Sequence, residues 1–472
     1  MRKFVLQNKI IMPDYYHDFL RDSEIKAFDK KHRKTLNFNI SRYDTAVIKG
    51  KLQYQNLVLA RERSAHIKHR VINDLDKYLV EFEANFITRG GKVIWALDQD
   101  EAVKEVLNIM VKYDARHVVK SKSMITEEIE LNHHLEEHKI ESLETDLGEY
   151  IVQLAGEKPY HIITPVMHKS KEDVAELFHE KFDMDKNSTP EQITAFVRKL
   201  LRDKFTSADV GITGANFIVA DTGAVAVTEN EGNGLMSVSF PKIQITIVGI
   251  EKIIPSMKDF DLYWPLLATM GTGQNITVYN TILTGPKQEG ETDGPDEMYV
   301  ILLDNGRTEV LAQEKQRRAL SCIKCGACLN GCPIYKNIGG HAYGTTYSGP
   351  IGSVLTPYMR GLQDFKHLSF ASSLCGKCTE VCPVRINLHE LLLFNRRDSV
   401  KAGLSNRMDK TVMYVWKRAM MSRWLLEKAS PKMKNFMLKK FFSKTWGPRR
   451  EIPTIHSKTF SSLWKEQRGK TK

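Results

Sequence analysis

The stretch Cys322-Ile-Lys-Cys325-Gly-Ala-Cys328-Leu-Asn-Gly-Cys332-Pro333 decides how the C-terminal part of the chain folds. It reads C-x2-C-x2-C-x3-C-P without a deviation, the spacing at which three thiolates on one tight loop grip three corners of a cubane iron–sulfur cluster and the fourth points to a neighbouring cluster. Gly326 and Gly331 are expected to let the backbone pass close to the sulfides, so that N–H groups stabilise the negative charge there.

Working outward, Ser372-Ser-Leu-Cys375-Gly-Lys-Cys378-Thr-Glu-Val-Cys382-Pro383 repeats the motif with its first cysteine replaced by Ser372. The ligand exchange of two-cluster ferredoxins then assigns Cys322, Cys325, Cys328 and Cys382 to cluster one and Cys332, Cys375 and Cys378 to cluster two. Cluster two is one thiolate short. It is a [3Fe-4S] cluster, a [4Fe-4S] cluster with Ser372 or another oxygen on its fourth iron, or one with an open site that binds substrate; a relay role is favoured over substrate binding. Structural zinc is the competing reading, but zinc ligands come in fours, and seven thiols with two Cys-Pro endings fit it poorly. The 42 residues between Cys332 and Cys375 exceed a minimal ferredoxin insertion. They predict turns at Gly339–Gly344 and Gly349–Gly352 and a short helix at Pro357–Leu362, hence a helical dicluster domain similar to that of succinate dehydrogenase iron–sulfur subunits. His341 reads as a turn histidine ahead of a cluster ligand or proton-transfer group.

All seven cysteines lie between Cys322 and Cys382, a distribution unlike that of a disulfide framework and suited to a reducing compartment. No run of about eighteen apolar residues occurs, and Met1-Arg-Lys-Phe-Val-Leu-Gln-Asn-Lys9 breaks too early for a signal peptide. A cytoplasmic, non-spanning protein is expected. The net charge of +12 points to an acidic partner, but no nucleic-acid motif accompanies it and no nucleic acid is expected.

Before the cysteines, the length predicts more than one folding unit. Residues 1–60 read as an arm with a helix near Tyr16–Lys30. Helical periodicity from Ala65 to Phe86 ends at Gly90-Gly91 and gives way to a short buried strand, Lys92–Ala96. Helices at Asp100–Tyr113, Ile125–His134, Lys171–Phe182 and Pro190–Phe205 alternate with strands at His117–Val119 and His161–Pro165, which predicts an open α/β domain with a mostly parallel sheet. Closely spaced runs at Val210–Thr213, Asn216–Ala220, Ala224–Thr228 and Ile243–Val248 are expected to complete the same sheet, partly antiparallel. Gly285–Pro295 reads as a surface loop, and Met298–Leu303 as a strand returning to the sheet.

Glu144–Glu149, Gly211–Phe217, Asp221–Ala224 and Glu229–Gly234 are candidate ligand loops, because Gly-rich turns after strands expose N–H groups; none matches a nucleotide-binding motif. Glu144-Thr-Asp-Leu-Gly-Glu149, Gly214-Ala-Asn-Phe-Ile-Val-Ala-Asp-Thr-Gly223, the two cysteine motifs and Gly339-Gly-His-Ala-Tyr-Gly344 together resemble the lactate-utilization iron–sulfur proteins of bacteria, the B component of a three-protein lactate-oxidising system. The resemblance implies a Rossmann-like α/β domain of the sugar-isomerase and CoA-transferase-like superfamily at residues 61–310, a dicluster ferredoxin-like domain at 311–395 and a basic helical region at 396–472. It implies an electron-transfer subunit of a complex oxidising L-lactate to pyruvate, with two iron–sulfur clusters and other subunits of that complex as partners. The alternative is an oxidoreductase that binds a small carboxylate itself, in the α/β domain or at cluster two. Some members of the superfamily use a glutamate nucleophile; that role is not carried over to Glu229 or Glu231, which are read as solvated loop carboxylates.

Pro431–Arg450 carries Lys432, Lys434, Lys439, Lys440, Lys444, Arg449 and Arg450 interleaved with Met433, Phe436, Met437, Phe441, Phe442 and Trp446, and no acid. Such a stretch suits an anionic membrane surface or an acidic partner as well as it suits packing on the cluster domain.

Overall fold

The structure, a computed structural model, describes residues 14–428, 430–446 and 451–469. Met1–Lys9, read above for a signal, and Arg449 and Arg450 of the basic stretch lie outside the described residues. The chain divides into two compact units that meet between Ser399 and Val400.

In the first unit, a six-stranded parallel sheet runs in the order β1 (Lys92–Ala96), β10 (Glu297–Leu303), β7 (Ile243–Gly249), β4 (Val210–Thr213), β2 (His117–Lys120) and β3 (Glu141–Glu144). β7 is buried along its whole length, as a central strand covered on both faces must be, which explains its nearly unbroken apolar sequence. Of its polar residues, Gln244 donates through Nε2 to Thr213 Oγ1 at 2.9 Å, and the hydroxyls of the register partners Thr213 and Thr246 meet at 3.2 Å. β1 differs from the expected buried strand. It pairs only with β10 at the sheet edge, and Lys92 and Trp95 are exposed.

A second sheet takes β8 (Ile253–Ile254), β5 (Phe217–Val219), β6 (Ala224–Glu229) and β9 (Tyr279–Leu283), in that order. The expectation that β5 and β6 complete the main sheet is therefore corrected. Only Gly214–Asn216 separate β4 from β5, too few residues for the crossover a parallel neighbour needs. β5 instead turns back through Gly223, whose φ of +61° suits glycine, to pair antiparallel with β6.

Two other expectations change. His161–Pro165 is not a strand: the His161 ring accepts from Ile163 N–H (3.2 Å) and Thr164 N–H (3.3 Å), and Tyr160 N–H donates to Pro165 O, curling the segment. Residues 14–60 are no free arm. Helices Tyr15–Phe28 and Lys30–Gly50 pack on the core through Leu36 and Ile40, a helical step apart, and Tyr15 meets Phe365 at a ring separation of 4.6 Å.

The cysteine region is helical, as expected, with Ala327–Asn330, Tyr335–Ile338, Gly349–Met359, Leu362–Phe370, Lys377–Val381 and Leu388–Lys401. The short helix anticipated at Pro357–Leu362 is the end of a longer one. Pro357 lacks the N–H that would serve Ser353 O, and the Ser369 hydroxyl donates to that carbonyl instead, at 2.8 Å. The second unit holds helices Arg407–Met421, Arg423–Lys428, Pro431–Trp446 and Phe460–Gly469. Among the described residues no helix is long and apolar enough to cross a membrane.

Candidate functional site

The two cysteine loops share one backbone plan. Lys324 (φ +57°) and Gly326 (φ +74°) are left-handed on either side of Cys325, and Leu374 (φ +55°) and Gly376 (φ +79°) are left-handed on either side of Cys375. A short helix follows each. The match extends to side chains: Lys324 N–H donates to Cys322 Sγ at 3.3 Å, and Leu374 N–H donates to Ser372 Oγ at 3.1 Å. Ser372 thus takes the structural place of the missing cysteine. Gly331, by contrast, has φ −77° in a helical C-cap and needs no glycine for its conformation.

Cys322, Cys325, Cys328 and Cys382 line one small, largely apolar cavity, whose other walls include Ile162, Ile323, Ile351, Val384 and Ile386 together with Lys324. Burial pushes the Cys378 and Cys382 thiols up to about 11 and raises those of Cys325, Cys328 and Cys332. Thiols crowded together in an apolar pocket ionise only when a cation takes them, and the donor set, all sulfur, suits iron of an iron–sulfur cluster. Ile386 N–H reaches Cys382 Sγ at 3.3 Å, and Arg61 donates to Cys382 O at 2.7 Å, placing donors and positive charge where thiolates form. Cys332 and Cys378 are also buried, whereas Cys375 is exposed, so the three-cysteine group lies nearer the surface.

A second cavity, of about 520 Å³, opens at the carboxyl ends of the parallel strands, where α/β sheets place their ligands. It is lined by Lys122 after β2, Asp146 after β3, Gly214 after β4 and Lys252 after β7; the cysteine region contributes Lys324 and Tyr347. Gly214 is required here, since a Cβ would stand 2.5 Å from Ser123 Oγ. Below the cavity, Arg307 is buried in a bidentate pair with Glu128 (2.9 Å to each oxygen), and its Nε meets Glu251 at 2.6 Å. Tyr347 Oη completes the network on Glu128 at 2.6 Å and ties the sheet to the cysteine region.

The candidate loops fare differently. Glu144 pairs with buried Lys120 at 2.6 Å, and Asp146 caps the helix Leu147–Ala155, so much of the Glu144–Glu149 motif supports the fold. Asp221 receives Met257 N–H, and Gly223 packs on the Phe86 backbone, both structural duties. Glu229 is half-buried and is not a free loop carboxylate, whereas Glu231 is exposed, as expected. Glu229 accepts from Gly234 N–H (2.7 Å) and Leu235 N–H (2.9 Å), while desolvation and Asp146 push Glu231 up to about 7, and both line the large cavity. Its lysines were not singled out in the sequence, although cations just past predicted strands, and Lys324 between two cysteines, were visible signals. His341 lies away from the sulfurs: its Nε2 bonds Lys158 O at 2.6 Å, and it lies with Glu157 and His168 in a cluster that stacks on Tyr160.

An α/β sheet with a cavity at its strand ends, joined to a helical module presenting two sets of cysteines, defines an α/β protein fused to a dicluster iron–sulfur domain. The corresponding family models match: the LUD domain over residues 79–303 and the 4Fe-4S dicluster domain over residues 318–386. The chain is 42% identical over 420 residues to lactate utilization protein B of Bacillus thuringiensis (strain Al Hakam) and, equally, of Bacillus cereus (strain AH187), covering 86% of this chain and 88% of each relative. It belongs to the lactate utilization protein B family. A DUF162 family protein from Deinococcus radiodurans is similar at 13% identity and a TM-score of 0.29, over 48% of this chain and 98% of that one.

Proposed function

We propose that the chain is the iron–sulfur electron-transfer component of a multiprotein system that oxidises L-lactate to pyruvate. In this reading residues 61–310 form an α/β domain of the sugar-isomerase and CoA-transferase-like kind, 311–395 the ferredoxin-like module and 396–472 a basic helical region. Cys322, Cys325, Cys328 and Cys382 hold cluster one, and Cys332, Cys375 and Cys378 hold cluster two. The observation that carries it is the gathering of four sulfurs from both cysteine loops around one cavity, with Cys375 and Cys378 on a copy of the first loop and Cys332 on the first loop left for a second set. The relatives' name, lactate utilization protein B, supplies the substrate. Bound clusters supply one-electron steps at two adjoining stations. The chain's own part is to give up thiol protons as iron is taken, to direct the N–H groups of Lys324 and Ile386 at sulfur, and to keep water from cluster one.

Anaerobically purified protein is expected to hold about seven or eight irons with matching sulfide. Ser372→Cys is expected to bring iron to about eight and to leave no [3Fe-4S] signal in oxidised-state EPR. Zinc without sulfide would overturn the assignment.

We further propose a cytoplasmic location with peripheral contact at the inner face of the membrane, through the second unit. Helix Arg407–Met421 exposes Met408, Val412, Trp416 and Met420 along one stripe, with Arg407, Lys410, Lys417 and Arg418 off it. The full chain is expected to co-sediment with vesicles containing anionic phospholipid at low salt, and Trp416→Asp to abolish most of this binding. Equal binding to neutral vesicles would sink the idea.

A further inference from the structure

The large cavity holds positive charge that the fold does not use. Lys252 is partly buried, and among the described residues its Nζ makes no hydrogen bond or ion pair. The nearby carboxylate of Glu251 is already taken by Arg307 at 2.6 Å. Lys324 stands over the Tyr347 ring, 3.6 Å from its centroid, with no carboxylate of its own among the described residues. Burial pulls Lys252 down to about 8, against the nearby charge of Glu251 and with that of Lys324. Glu251 offsets part of this charge, but its oxygens are engaged by Arg307, and two lysines without an ion pair of their own against one cavity favour an anion between them. The same cavity is lined by an acidic group, Asp146, Glu229 and Glu231, with Lys122 near Glu231 and held by the Ile163 carbonyl.

We infer that this cavity is a binding site for a small 2-hydroxy or 2-oxo monocarboxylate, its carboxylate held by Lys252 and Lys324 and its 2-oxygen turned toward the acidic group. A ligand needs one anionic end and one hydrogen-bonding end to match both groups; a simple inorganic anion would leave the acidic group unanswered. Lys324 lies between Cys322 and Cys325, so a carboxylate on it adjoins the first cysteine loop. The site therefore makes the α/β domain a ligand-binding part of the molecule instead of a scaffold. The choice of ligand rests on the lactate reading above, while the existence of the site rests on the lysines.

The test uses full-length protein whose iron, sulfide and EPR spectrum have been measured first, so that a failure of the cluster reading is seen before any ligand is added. Calorimetric titration with pyruvate and with L-lactate is expected to show saturable, mutually competitive binding. Lactamide, the neutral isostere, is expected to bind at least about tenfold more weakly, as is pyruvate to Lys252→Gln, with Lys252→Arg restoring part of the affinity. Pyruvate is also expected to perturb the EPR spectrum of cluster one. If the lysines serve only to offset the clusters' negative charge, Lys252→Gln will shift a midpoint potential and leave pyruvate affinity unchanged, and the inference fails. Equal affinity for lactamide, or no pyruvate binding to protein with both clusters intact, overturns it as well.

Discussion

Cys328→Ala is expected to remove cluster one altogether, with about half the iron lost and the protein recovered largely as aggregate or as a species that melts far below the native chain. Three observations set the size of this effect. Cys328 is buried in the main hydrophobic cluster beside Cys325 and Cys382, so its sulfur has no solvent to fall back on. Its three companions line the same cavity, and burial holds the thiols of Cys325 and Cys382 well above neutrality. With iron, the site is a cross-link between residues some sixty positions apart, Cys322 and Cys382; without it, the same residues are neutral thiols around a void. Cys375→Ala gives the contrast. Cys375 is exposed, so its loss is expected to alter cluster two while the melting temperature changes little. Iron content, EPR and a thermal melt on both variants check the pair; a Cys328→Ala protein with full iron and a native melt would refute the ligand grouping. Because thiols must ionise to bind iron, reconstitution of the apoprotein is expected to speed up as pH rises toward 9.

How much of this was legible depended on the range over which each feature is specified. The 4Fe-4S dicluster domain was legible because its motif is written in spacings of two and three residues, which Cys322–Pro333 carries without help from the rest of the chain. The parallel sheet was legible because strands such as β7 and β10 are mostly apolar, as strands buried on both faces are, and alternate with amphipathic helices. The second sheet was misassigned because strand propensity does not say which sheet receives a strand; the three residues between β4 and β5 decide it, through a steric limit on crossovers. His161–Pro165 has strand-like composition, yet the His161 ring claims two backbone donors that a ladder would need. The cavity's lysines escaped notice for a different reason. Lys122, Lys252 and Lys324 are scattered over about 200 positions, and only the fold, two following strands of the sheet and one in the cysteine loop, brings them to one cavity.

Arg307→Met is expected to destabilise the first unit by about 3–5 kcal/mol at neutral pH, the cost of leaving a buried ion network without its cation. Arg307 is 1% exposed and answers two carboxylates at once, with Glu128 further held by Asn305 and Tyr347. Methionine fills much of the volume, so the loss reports charge more than cavity. Burial works to raise the Glu251 carboxyl, but the Arg307 guanidinium, with Lys324 and Lys252, outweighs it and holds it at about 2; Glu128 is lowered by the same guanidinium against the same burial. Both carboxyls therefore bind protons less readily folded than unfolded. Their contribution is complete above the unfolded value near 4.5 and is lost as pH falls from there toward about 2. The variant reverses the sign. With the guanidinium gone, burial raises both carboxyls above their unfolded values, so the folded state gains protons and the deficit should shrink between pH 7.5 and 5. Denaturant midpoints of both proteins across that range check this. A second change, Glu251→Gln in the Arg307→Met background, is expected to recover part of the loss, because it removes one of the two stranded charges. A deficit that stays constant with pH would mean that Arg307 acts through packing alone, and that the network joining the sheet ends to the cysteine region is not held by charge.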